Sequence, residues 1–181
     1  KVKIDLRDMD YISWKRDMDE DLENLKLLIS MVEDITPEYD FKLNELLRVI
    51  REKVANPINP GNPKMLIFTA FADTAEYLYE NVSKMVKNEL GLNTALVTGS
   101  VDGQTTIPKF KADMNHVLAA FSPKSKDRDV LYPKDKADID ILIATDCISE
   151  GQNLQDCDYC INYDIHWNPV RIIQRFGRID R

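Results

Sequence analysis

The sequence predicts an α/β fold, with a central and mostly parallel sheet covered by helices and preceded by a helical N-terminal segment. Two observations carry this. Short, nearly unbroken apolar runs recur at residues 64–69, 93–97, 140–144 and 159–163. Strands buried on both faces of a parallel sheet have that composition. Stretches with apolar residues at helical spacing separate the runs, so strands and helices alternate along the chain.

Residues 1–55 read as helical, with Asp21 to Ile29 holding apolar positions near helical spacing. Thr36-Pro37 is a break that predicts a cap and first turn, and Phe41, Leu43, Leu46, Leu47, Val49 and Ile50 predict a second amphipathic helix. The Asn/Pro/Gly cluster at 56–63 is a linker. Lys64–Thr69 is the first strand, and a long helix follows from Asp73 to Leu90, with Asp73 or Thr74 near its cap and Gly91 as its stop. Asn93–Val97 is the second strand and runs into Thr98-Gly99-Ser100. Ala112–Phe121 is a helix, and the polar, lysine-rich stretch 122–138 a loop. Asp140–Ala144 and Tyr159–Tyr163 are the remaining strands, and Asn168-Pro169 starts a last helix, Asn as cap and Pro in the first turn. This gives an acidic helical segment at 1–55, a linker at 56–63 and an α/β domain at 64–181.

The net charge of −7 is unevenly spread. Residues 1–40 hold 6 Lys and Arg against 12 Asp and Glu, and residues 41–181 hold 18 against 19. The charge argues against a general nucleic-acid surface but leaves room for a local basic patch. No apolar run reaches the roughly 18 residues of a membrane span, and the charged start shows no signal peptide. An odd count of 3 cysteines suggests a reducing, cytoplasmic setting. Lys1 in place of methionine suggests a piece of a longer chain. Cys157-Asp-Tyr-Cys160 lacks the further ligands of a zinc site, so it reads as two small residues packing beside a strand. His116 and His166 have no nucleophile at a recognisable spacing and read as structural.

In a parallel sheet, ligands bind at the carboxyl ends of the strands. That edge should hold Thr69, Thr98-Gly99-Ser100, Thr145-Asp146 and Asp164. After Thr145 come Ser149, Glu150, Gly151, Gln152 and Asn153, hydroxyl and amide groups around a glycine that allows close backbone approach. An ordinary strand-to-helix turn explains that stretch equally well. At the end of the chain, Gln174, Arg178 and Arg181 share a helical face, while Arg175 points about a quarter turn away. Two guanidiniums on one face can clamp a phosphate, although a solvated basic helix end would look the same.

Taken in order, these stretches resemble the second RecA-like domain of superfamily-two helicases, in a style similar to the Swi/Snf-type and bacterial RapA-like translocases. Lys64–Ala70 resembles motif IV, Leu96–Ser100 the TGS element, Ala144–Leu154 motif V and Gln174–Arg181 motif VI. The resemblance implies a RecA-like three-layer fold and a set of roles. Arg178 and Arg181 would be catalytic arginine fingers reaching ATP on a partner lobe. Gly151, Asn153 and Gln174 would lie at the nucleotide, and Thr98, Ser100 and Thr145 on the nucleic-acid backbone. Arg175 stands where relatives often have a small residue, and is expected to be structural. DNA is the expected nucleic acid, with RNA the alternative.

No GxxxxGK[ST] phosphate loop and no DExH or DEAD box occurs in the sequence. The resemblance puts both on an N-terminal lobe of the same chain, together with Mg2+. The 181 residues alone are therefore expected to be inactive, with no metal site and no bound ligand, and with both fingers exposed. A non-catalytic interaction module that kept the fold is the alternative, and oligomeric state is not legible.

Overall fold

The computed structural model describes residues 9–33, 35–99, 103–148, 151–166 and 168–179. The chain divides into two compact units, residues 1–44 and 45–181. The first contains α1 (Tyr11–Glu33), in which no residue is buried. The helix α2 (Phe41–Ala55) begins in this unit and lies mostly in the second. Its cap is Asp40, whose carboxylate accepts the Leu43 N–H at 2.9 Å. Thr36, the expected cap, instead donates its hydroxyl to Glu38. Asp40 directly precedes the first helical residue, and an acceptor there satisfies an N–H that has no partner inside the helix.

The second unit is built on five strands in the order β3-β2-β4-β1-β5. They are β1 (Met65–Phe68), β2 (Thr94–Val97), β3 (Gln104–Thr105), β4 (Ile141–Ala144) and β5 (Cys160–Asn162). The β1–β4, β1–β5 and β2–β4 pairs are parallel. All residues of β1, β2 and β4 are buried, as a sheet covered on both faces requires. The antiparallel edge strand β3 was not expected. Two polar residues carry no periodicity to read, and the pairing comes from Ala95 and Leu96 opposite.

Successive side chains alternate between faces. On one face Leu66, Phe68, Ala95, Val97, Leu142 and Ala144 form a core with Val117, Leu118, Ala120 and Phe121 of α4 (Met114–Phe121). On the other, α3 (Ala72–Met85) covers β2 and β4 with Ala75, Leu78 and Val82. It runs on through a π-helical turn, Val86–Leu90, to the predicted stop at Gly91, which has φ +68°. The residue before α3 is Phe71, not a polar cap. Asp113 caps α4 by accepting the His116 N–H. The loop after α4 contains one short helix, α5 (Arg128–Leu131). His116 is structural: its ring stacks between Phe110 and Tyr132 and bonds to Asp135 and to the Lys111 carbonyl.

Lys53 of α2 is buried, 2.7 Å from Asp158. Its ammonium also donates to the Asn62 carbonyl, while Asp158 accepts from the Asn59 backbone and side chain. These bonds fasten the 56–63 segment to the approach of β5.

Candidate functional site

The carboxyl ends of β2, β4, β1 and β5 lie side by side and carry most of the described candidate residues. Val97 pairs with Ala144 in register, so Thr98 and Thr145 follow on adjacent strand ends. Both threonines are partly buried, and Gly99 is exposed. Ser100 and Arg181 lie outside the described residues. Thr69 is fully buried and gives its hydroxyl to the Phe71 carbonyl, so it serves the turn into α3. Asp164 accepts the Ala70 N–H and so ties the ends of β1 and β5 together.

The stretch after Thr145 is held at both ends. A single 3-10 turn, Asp146–Ile148, buries Ile148, and Leu154 is buried in the same apolar cluster. Between them Gly151 takes φ +71° with open space where a Cβ would stand. Glycine is needed there for the left-handed backbone, and among the described residues nothing lies within 4 Å of that position. The lysine-rich loop supports this segment: Lys126 bonds to Gln152, and Asp156 accepts from the backbone of Lys124 and Ser125 and from the Ser125 hydroxyl.

The last helix, α6 (Pro169–Phe176), starts as predicted, with the Asn168 side chain accepting the Val170 N–H and Pro169 in the first turn. It ends earlier than predicted. Gly177 is its C-cap, and Arg178 lies on a tight turn whose N–H bonds to the Arg175 carbonyl. Gln174 and Arg178 therefore do not share a continuous helical face. Arg178 is also partly buried where exposure was expected. Its carbonyl accepts the Leu154 N–H at 2.9 Å, which joins the Arg178 turn to the end of the segment that follows Thr145.

The helix is inverted. Arg175 is 0% exposed, while Ile173 is 69% exposed, and Val170 and Phe176 are also exposed. The Arg175 guanidinium donates to Asp146 at 2.7 Å and to Asn162 at 2.8 Å, and lies over the Phe68 ring at 5.0 Å. No partner for Arg175 is legible in the sequence. Helical phase put it on a different face from Gln174, but phase alone does not say which face is inside.

Of seven buried side-chain atoms without a hydrogen bond among the described residues, four fall here: Asn153 Oδ1, Gln174 Oε1, Arg175 Nη2 and Arg178 Nε. Buried polar groups are normally satisfied, and this edge holds the larger share of the exceptions among the described residues. The Cys157-x-x-Cys160 pair has no such character. Burial pushes the Cys157 thiol up to about 11 and the Cys160 thiol up to about 12, which keeps both protonated and inert at neutral pH. Among the described residues no group of three or more His, Cys, Asp or Glu could hold a metal ion, and no helix is long and apolar enough to cross a membrane.

Comparison with known proteins gives a consistent result. The family described as Helicase conserved C-terminal domain matches residues 42–181. A 43-residue stretch is 58% identical to the uncharacterized ATP-dependent helicase YqhH of Bacillus subtilis, covering 24% of this chain and 8% of that protein. The Schizosaccharomyces pombe protein fml2 is 30% identical over 149 residues, covering 77% of this chain and 16% of that protein. The ATP-dependent DNA helicase fml1 of the same organism is 26% identical over 163 residues, covering 88% of this chain and 18% of that protein. Among solved structures, the C-terminal part of the Fun30 ATPase domain is similar at a TM-score of 0.48 and 20% identity, covering 87% of this chain and 45% of that one. The chain thus spans less than a fifth of the length of these curated relatives.

Proposed function

The chain belongs to the helicase conserved C-terminal domain family, and on that premise we propose that it is the second lobe of an ATP-dependent nucleic-acid translocase. A partner lobe would hold ATP and Mg2+, and this lobe would close on the nucleotide. The observation that carries the reading is the cluster of buried, unpartnered polar atoms on Asn153, Gln174 and Arg178, at the sheet edge where such ligands bind. Of these, the Arg178 Nε–H is a donor and fits a polyphosphate, while the Asn153 and Gln174 oxygens are acceptors and would take hydroxyl groups of the nucleotide. Arg178 offers a guanidinium on a backbone held by the Leu154 N–H, and a positioned cation stabilises charge that develops on transferring phosphoryl oxygens. ATP, when bound, supplies the phosphoanhydride whose hydrolysis drives the motion. Arg181 would be the second arginine of the pair, and the backbone at Gly151 leaves room for close approach.

Thr98 and Thr145, on adjacent strand ends, would take the phosphate backbone of DNA or RNA through neutral hydroxyls, with Ser100 as a third contact. Contacts of that kind position a strand without reading its sequence. The exposed apolar face of α6, next to Arg178, suits a surface that the partner lobe covers when the cleft closes.

The test is nucleic-acid-stimulated ATP hydrolysis by the full-length protein. Arg178→Ala is expected to lower kcat by about 10³-fold or more, the usual worth of an arginine finger, with a native circular dichroism spectrum. Wild-type turnover in that variant would refute the reading.

A further inference from the structure

We propose that Arg175 is a positioning residue that holds the Arg178 turn in register with the Thr145-Asp146 turn. The inference rests on the reading of Arg178 and Thr145 given above. Arg175 has the geometry of a junction. Its Nε bonds to Asp146 at the end of β4, one residue after Thr145, and its Nη1 bonds to Asn162 at the end of β5. The Nη1 also lies 3.4 Å from the Asp164 carbonyl. On its own element, the Arg175 carbonyl accepts the Arg178 N–H and so fixes the turn that carries that arginine.

Stability does not explain a buried arginine here. Taking the charge out of water costs about as much as the ion pair returns, and apolar replacements of such pairs are often neutral or better. Asp146 is itself 27% exposed, which weakens the pair further as a source of stability. The arrangement does supply direction. A guanidinium is planar, and its donors diverge at fixed angles. Bonding two strand ends with one such group fixes the position of α6 against both. Moving Thr145, as a bound strand would, therefore moves Asp146, Arg175 and the turn bearing Arg178. A misplacement of about 1 Å at a reacting centre can cost on the order of 100-fold in rate.

The experiment is a double-mutant cycle in the full-length protein, read as kcat and KM for ATP at saturating nucleic acid. The variants are Arg175→Lys, which keeps the charge and loses the fork, Asp146→Ala, which removes the Oδ1 acceptor, Arg178→Ala, and each pair with Arg178→Ala. Asp146→Ala leaves the Arg175 side chain in place, so it keeps the test alive where Arg175→Lys does not fold. We expect each single change at Arg175 or Asp146 to lower kcat by about 10- to 100-fold, with KM for ATP nearly unchanged. In the Arg178→Ala background neither should lower kcat further. A full additional loss in that background, or a lower melting temperature with kcat intact, would assign Arg175 a purely structural role and overturn the proposal alone. No effect of Arg178→Ala itself would overturn both this proposal and the finger reading beneath it.

Discussion

Asp158 shows how one buried charge is held. Burial alone would raise its pKa, but the contact with Lys53, the bonds from Asn59 and the Lys53 charge outweigh this, and the net shift is downward. A carboxylate whose folded pKa is depressed contributes stability above its unfolded value and loses it as pH falls through the folded value. The loss should therefore begin near the ordinary 3.8 and continue below it. Asp140 works in the opposite sense, since burial raises its pKa and acid relieves that penalty. The separating measurement is the urea midpoint of Asp158→Asn against wild type. Near neutral pH the variant leaves Lys53 buried and unpaired and should lose about 3 kcal/mol or more. The gap should narrow as pH falls below about 3.8. A gap that is constant with pH would show that Asp158 acts through packing alone. The sequence did not disclose this pair, because its members stand 105 positions apart on segments read as a helix and a loop.

At the scale of elements, legibility followed the physics of each signal. Four of the five strands are legible because unbroken apolar runs leave few alternatives, three of them fully buried and β5 partly so, and α6 is legible because Asn-Pro marks a helix start. Its end was misjudged: Gly177 terminates the helix, while helical phase was carried on to Arg181. The inversion of α6 was invisible for a related reason. A helix with arginine on one face and Ile173 and Val170 on another reads the same whichever face is buried, and only the acceptors at Asp146 and Asn162 decide it. The first helix raises a different question. α1 runs for 23 residues without burying one, and its described side-chain bonds are local, such as Lys26 to Glu23. In proteins most helical stability comes from packing an apolar face, and α1 buries none of its residues. A chain beginning at Ile35 should therefore melt within about 2 °C of the full 181 residues, a shift worth under about 1 kcal/mol. A fall of several degrees in differential scanning calorimetry would show that α1 supports the rest of the chain.

At the scale of the whole molecule, charge and topology bear on the same question of what the chain can do alone. The acid excess lies in residues 1–40, and the remainder is balanced at 18 against 19 charged groups. Strand ends, the Thr145 turn and Arg178 gather on one edge of the sheet. On the function proposed above, that edge would offer a cation for developing phosphoryl charge and hydroxyls for a strand, half of what phosphoryl transfer needs. Cradling the phosphates and holding Mg2+ require a GxxxxGK[ST] phosphate loop and the carboxylate of a DExH or DEAD box, and the sequence contains neither motif. Arginine stabilises a transition state only when the nucleotide is already held in place, so the contribution of Arg178 has no substrate to act on until a second surface supplies one. Residues 1–181 alone, purified and given ATP, Mg2+ and either DNA or RNA, should show phosphate release no faster than buffer. Release that rises with protein concentration and is lost in Arg178→Ala would show that the chain assembles a complete site by itself, and would overturn the two-lobe reading while leaving the arginine assignment standing.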